Sequence, residues 1–220
     1  MKKYLTIFAI AFVILSHPVS SLAGPGGRQA NQEVTEVSSY DLSATEIEYL
    51  TFMREEEKLA RDVYLTLFDR WGVLIFANIA TSEQSHTDAV ANMLDYYKLS
   101  DPVVDDTVGI FVNQELAELY DFLVSENNDI DVDGNVDVMD ALYIGALIEE
   151  VDMEDIQHAI DAADHEEIIE LYNRLMCGSR NHLRAYVGQI EVRGDVYESQ
   201  VLTQEEVDAI VDSPVERTCR

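Results

Sequence analysis

The chain has 220 residues and carries 43 acidic against 14 basic side chains, a formal net charge of −29. That length is enough to bury the core of one ordinary domain. A surface so negative repels DNA, RNA and anionic lipid headgroups, draws cations, and also suits solubility in brine.

Lys2 and Lys3 precede an apolar run from Tyr4 to Leu15, and Ser21-Leu22-Ala23 is a small-x-small cleavage site. Residues 1–23 therefore read as a signal peptide, and export to a periplasm or the exterior is expected. An uncleaved N-terminal anchor is the alternative, although the run is short for a membrane span. No second apolar run approaches spanning length, so the mature chain is expected to leave the membrane. Residues 24–40 lack an apolar period and read as a flexible linker.

Ser43-Ala44-Thr45-Glu46 is a capping box that predicts the start of a first long helix, with Leu50, Met53, Ala60, Tyr64 and Leu67 on one face. Gly72 is its expected stop. A second helix carries Phe76, Ile79, Ala80, Val90, Leu94 and Tyr97 on one stripe, and Asp101-Pro102 is its expected end. An extended crossing segment over 101–112 leads into a short helix from Gln114 to Val124. A further long helix is predicted from Val138 into Ala163. The last long helix places Ile168, Leu171, Leu175, His182, Tyr186 and Ile190 inward, and a capping box at Thr203 opens a short tail helix. The expected fold is all-α: a four-helix bundle of ferritin-like connectivity over 41–197, with a long crossover and a C-terminal tail helix over 198–220.

The crossover contains Asp129, Asp131, Asp133, Gly134, Asn135, Asp137 and Asp140. These stand at positions 1, 3, 5, 6, 7, 9 and 12 of an EF-hand-type calcium loop, with Gly134 where the backbone turns sharply. The loop resembles those of dockerin modules, which also end on Asp. A dockerin has a pair of such loops and only one is found here, so cohesin binding is not implied. A solvated acidic loop is the plainer alternative.

Each long helix also offers an inward polar side chain: Glu57 on the first, Glu83 and His86 as Glu-x-x-His on the second, Glu149 or Glu150 on the third, and His182 on the fourth. A buried carboxylate is unfavourable unless paired or metal-bound. Ferritin-like di-iron carboxylate proteins use this arrangement, so iron or manganese is the expected occupant. The Glu57–Tyr64 spacing resembles the ligand and nearby tyrosine of ferritins and bacterioferritins. Ser179 departs from the pattern, because it stands where a second Glu-x-x-His would place glutamate. Glu56, Glu149, Glu150 or Asp152 would have to compensate. Ordinary polar helix faces and a hydrogen-bonded core histidine are the structural alternatives. His158 and His165 are expected in solvent, and Arg54, Arg61, Arg180 and Arg184 at the surface or beside buried carboxylates.

The segments Arg54 to Asp62, Ser82 to His86, Ile148 to Asp152 and Ser179 to Arg184 resemble the family called domain of unknown function 2202, over roughly residues 41–197. The resemblance implies a ferritin-like fold and no particular reaction. Cys177 and Cys219 are the only cysteines. Export would permit a disulfide tying the tail to the main domain, and a buried thiol with a loose tail thiol is the alternative. Two functions follow. One is an exported metal-binding protein, acting as an oxidase, a peroxide scavenger or a metal buffer, with a separate calcium site. The other is a non-enzymatic calcium-binding surface protein whose acidic face recruits a partner or a second copy.

Overall fold

The computed structural model describes residues 42–126, 138–217 and 219. The described residues form six α-helices: α1 (Ala44–Trp71), α2 (Leu74–Tyr96), α3 (Gln114–Glu126), α4 (Val138–Ala162), α5 (Glu166–Glu191) and α6 (Gln204–Val211). No strand occurs among the described residues. The expected signal peptide, the linker and calcium-loop residues Asp129 to Asp137 lie outside the described residues, and Asp140 sits in the first turn of α4.

Both capping boxes form. Glu46 N donates to Ser43 Oγ at 3.1 Å while Ser43 N donates to Glu46 Oε2 at 2.9 Å, and Thr203 with Glu206 repeats the pattern. Gly72 takes a left-handed conformation (φ 65°) and its N–H closes on Phe68 O, ending α1. The second helix stops well before Asp101-Pro102. Lys98 turns left-handed (φ 59°) and Leu99 N reaches back to Leu94 O, so the terminal carbonyls are satisfied without proline.

The four long helices pack chiefly as α1 on α2 and α4 on α5, with α1 also against α4 and α2 against α5. Short connections at residues 72–73 and 163–165 make each pair antiparallel neighbours. The predicted stripes are the buried faces: Phe76, Val90 and Leu94 of α2 and Ile168, Tyr186 and Ile190 of α5 are essentially inaccessible.

Every residue from Arg54 to Asp62 is buried, which an amphipathic stripe does not explain. One face of this stretch meets the other long helices, and the crossing segment lies along the opposite face. Arg54 pairs with Asp101 at 3.0 Å and Arg61 with Asp106 at 2.7 Å. Lys58 Nζ donates to Thr107 O at 3.0 Å, Gly109 N to Asp62 at 3.0 Å, and Val112 N and Asn113 N to the Glu55 carboxylate at 2.6 and 3.0 Å. A segment without regular structure needs partners for its backbone groups, and α1 supplies them.

His165 is not the solvated side chain expected. Its Nδ1 lies 2.7 Å from Glu46 Oε1, which also accepts from the backbone of Asp164 and His165. Burial works to raise the Glu46 pKa, but His165 and these donors hold it down at about 2. Glu46→Ala would strip that set of donors where α1 meets the start of α5. A loss of about 2–3 kcal/mol is expected in urea unfolding, since stranded donors each carry a desolvation penalty.

The tail is held from two places. Glu150, expected as a metal ligand, instead accepts from Tyr197 Oη at 2.6 Å and from the backbone N–H groups of Gln200, Val201 and Leu202. Its carboxylate points at the loop before α6, so it belongs to the scaffold. Further along, Cys177 and Cys219 form a disulfide with Cα atoms 5.4 Å apart, closing a loop with a sequence separation of 42. Chain entropy gives such a closure about 4 kcal/mol of stabilisation.

Candidate metal centre

Glu57 of α1, Glu83 and His86 of α2, Glu149 of α4 and His182 of α5 converge between the four long helices. Each is reached by the helical periodicity that also buries its apolar neighbours. His86 Nδ1 lies 3.2 Å from Glu57 Oε2 and 2.8 Å from Glu83 Oε2. His182 Nδ1 lies 2.7 Å from Glu83 Oε1 and 3.3 Å from Glu149 Oε2. Glu83 thus stands between two imidazoles and belongs to two three-residue groups, Glu57–Glu83–His86 and Glu83–Glu149–His182. Within each group the ligand atoms lie within 4.8 Å of one another.

Surrounding residues set these positions. Ser82 Oγ stands 2.9 Å from His182 Nε2 and holds the ring with Nδ1 toward the carboxylates. Tyr64 donates to Glu149 Oε1 at 2.6 Å and packs against Tyr186 with ring centroids 5.4 Å apart. Glycine is required at residue 178, because a methyl there would overlap the ring of His86.

Ser179, where a second Glu-x-x-His would have glutamate, lies 2.5 Å from Asp152 Oδ2 and 3.0 Å from Leu175 O. Burial, then Glu57 and its neighbours, pushes Asp152 well above the usual carboxylate range. Ser179 Oγ is the donor in both contacts, shared between Asp152 Oδ2 and Leu175 O. Asp152 therefore brings a further buried carboxyl to the edge of the cluster from α4, in place of a glutamate on α5. Glu56 stays outside both groups and faces Asp155; burial and Asp155 raise it well above its ordinary value.

The residues present fit a cation. Glu57 Oε1, Glu83 Oε1 and His182 Nδ1 are buried without a hydrogen-bond partner, although they crowd one another. Without a metal, protons do the neutralising. Burial opposes charging of His182, but Glu83 and Glu149 carry it up to about 10, and Glu83 and Glu57 raise His86 likewise. Burial pushes Glu57 up to about 7 against the pull of His86. Burial also acts to raise Glu83, but His182 and His86 outweigh it and hold that carboxylate low.

None of the named arginines enters the cluster. Arg54 binds Asp101 and Thr87, Arg61 binds Asp62 and Asp106, and Arg180 and Arg184 both bind Glu216. His158 is exposed, as expected. The Lys58–Asp62 pair is local, but the segment that buries it, at Thr107 and Gly109, lies far along the chain, as do the Asp164 and His165 partners of Glu46, so both escaped sequence reading. Only the density of charge from Arg54 to Asp62 signals that something unusual happens there.

These features define an all-helical protein with a buried carboxylate–histidine cluster suited to metal ions. The chain belongs to the family described as Uncharacterized protein domain (DUF2202), whose profile matches residues 46–214. It is similar to the uncharacterized protein MJ0754 of Methanocaldococcus jannaschii, 44% identical over 184 residues, which cover 84% of this chain and 96% of the relative. A crystal structure of hypothetical protein MJ0754 from Methanococcus jannaschii aligns with a TM-score of 0.74 at 42% identity, covering 86% of this chain and all of that one.

Proposed function

We propose that this chain is an exported ferritin-like metal-binding protein that holds a pair of iron or manganese ions between its long helices. The observation that carries the reading is Glu83, a single carboxylate shared by two histidine-containing groups on four helices. The neighbour relations of α1, α2, α4 and α5, with a long crossover between the pairs, support ferritin-like connectivity. Bound iron or manganese would supply one- and two-electron chemistry toward oxygen or peroxide, or would simply be stored. Glu57, Glu149 and the two histidines would each hold one side of the pair, with Glu83 between them. Tyr64 would orient Glu149 and Ser82 would orient His182. Lys2, Lys3, the apolar run and the Ser21-Leu22-Ala23 site support export.

Anaerobic reconstitution of metal-free protein with iron(II) or manganese(II) tests this. A pair of ions per chain is expected, with anomalous scattering between Glu57 and His182. Because binding displaces protons from both histidines, loading should release protons and affinity should rise with pH, by about tenfold or more per unit while both rings carry protons. The metal-free protein runs the opposite way. The His182 pKa is raised from 6.5 to about 10, so its contribution is complete below pH 6.5 and fades as pH climbs to about 10. The melting-temperature gap between loaded and metal-free protein should therefore widen with pH. A gap that narrows, or no ions bound, would sink the reading.

A calcium site over residues 129–140 belongs to the same proposal, supported by the register of Asp129, Asp131, Asp133, Asp137 and Asp140 around Gly134. If that loop alone is functional, the chain is instead a calcium-dependent interaction protein. Calcium at a hundredfold excess over its Kd should add ~2.7 kcal/mol of stability. Asp129→Ala or Asp133→Ala should abolish the gain; an unchanged melting temperature in the chelated wild type refutes the calcium site.

A further inference from the structure

The histidines are the part of the cluster nearest solvent. Side-chain exposure is 13% for His86 and 9% for His182, against 1% for Glu57 and 2% for Glu83 and Glu149. The two rings stack 5.4 Å apart between centroids, and both line a cavity of about 360 Å³ together with Ser82, Asn181, Arg217 and Cys219. One wall of that cavity is formed by the segment after α6, whose described residues form no helix. Polar contacts at Ser213 and Glu216 and a disulfide at Cys219 hold it: Arg184 donates to Ser213 Oγ at 2.7 Å, and the Glu216 backbone exchanges hydrogen bonds with the Asn181 amide, both at 2.9 Å. The Glu216 carboxylate receives Arg180 at 2.7 Å and Arg184 at 3.0 Å, and Cys219 is bonded to Cys177, the residue before Gly178. Asn181, beside His182 in sequence, donates to Cys219 Sγ at 3.3 Å.

We propose that this cavity is the port through which divalent metal ions reach and leave the centre, and that the Cys177–Cys219 disulfide governs their passage. The proposal rests on the metal reading above. With the disulfide closed, the segment walls the cavity with Arg217, an exposed residue that brings positive charge to an otherwise acidic protein. A divalent cation meets both the wall and that charge. A dithiol reductant breaks the S–S bond, each cysteine sulfur gains a proton, and the reductant closes into its own disulfide. The segment then stays fastened through Ser213 and Glu216, and only the residues beyond Glu216 are freed. Arg217 can withdraw, leaving histidine and carboxylate ligands behind a more open and more negative mouth. Oxidised protein retains metal and reduced protein exchanges it.

The test uses the full chain loaded with manganese(II), with stoichiometry measured first and release then followed into excess chelator. Oxidised wild type is compared with reduced wild type and with Cys177→Ser/Cys219→Ser. Release should be about tenfold faster without the disulfide, at unchanged stoichiometry and helicity, a size typical of charge and access effects on rates. Arg217→Glu, which leaves the disulfide in place, should speed uptake. Should the double variant lose helicity, reduced wild type and Arg217→Glu carry the comparison. Equal release rates at equal loading overturn the port and leave the metal centre standing. Absence of manganese from every form overturns the centre, and the port with it.

Discussion

Glu83→Ala is expected to abolish metal binding at both halves of the centre, whereas loss of a residue belonging to one group should spare part of it. Glu83 is the only side chain common to both groups, and its two oxygens face different histidines. Losing a partner that merely orients a ligand already lowers affinity ~10–100-fold, so losing the shared ligand should exceed that. His182→Ala should keep the Glu57–Glu83–His86 half. His158→Ala, on the exposed side of α4, is the proper control. His165→Ala is not, because His165 binds Glu46. Metal-free Glu83→Ala should also be less stable than metal-free wild type, by about 3 kcal/mol, because both imidazolium charges lose their shared partner in a buried place. Metal analysis and urea unfolding of the same preparations check both statements. Full loading of the variant would show that Glu83 is not a ligand.

Asp62→Ala should be the most destabilising single change outside the centre. Asp62 and Lys58 are wholly inaccessible and 2.5 Å apart. Asp62 also accepts from Arg61 and from Gly109 N, and Lys58 lies over the ring of Phe111 at 4.4 Å. Removing the carboxylate leaves a buried ammonium with only Thr107 O and an aromatic face. Such breakage costs about 3–5 kcal/mol, which lowers the melting temperature by on the order of 10 °C. The crossing segment should loosen first, visible as faster amide exchange at residues 107–113. Replacing both partners, as Lys58→Met with Asp62→Leu, should recover much of the loss, since no charge is then stranded. If the single and double variants are equally unstable, the pair matters for shape and not for charge.

The helices were legible because their determinants are local. The capping boxes at Ser43 and Thr203, the glycine at 72 and the three-and-four spacing of Leu50, Met53, Tyr64 and Leu67 act within a turn or two of themselves. Glu57, Glu83, His86, Glu149 and His182 were legible for a related reason, since each continues a stripe whose apolar members announce the inward face. The end of α2 was misread because Asp101-Pro102 is a conspicuous stop signal, while the closure at Lys98 and Leu99 is made by backbone groups that leave no mark in residue type.

Sequence by itself determined the all-helical class, the order and approximate extent of the helices, and the inward placing of Glu57, Glu83, His86, Glu149 and His182. Tertiary structure alone decided which of two adjacent glutamates serves the cluster. Glu149 and Glu150 sit side by side on α4 and both are buried, but successive helical residues point about 100° apart. Glu149 therefore meets Tyr64 and His182, while Glu150 meets the backbone of residues 200–202. The same holds for Asp152 beside Ser179, Glu46 beside His165, and Cys219 beside Cys177. Each pairing joins residues more than twenty positions apart, and only the packing of helices brings them within reach.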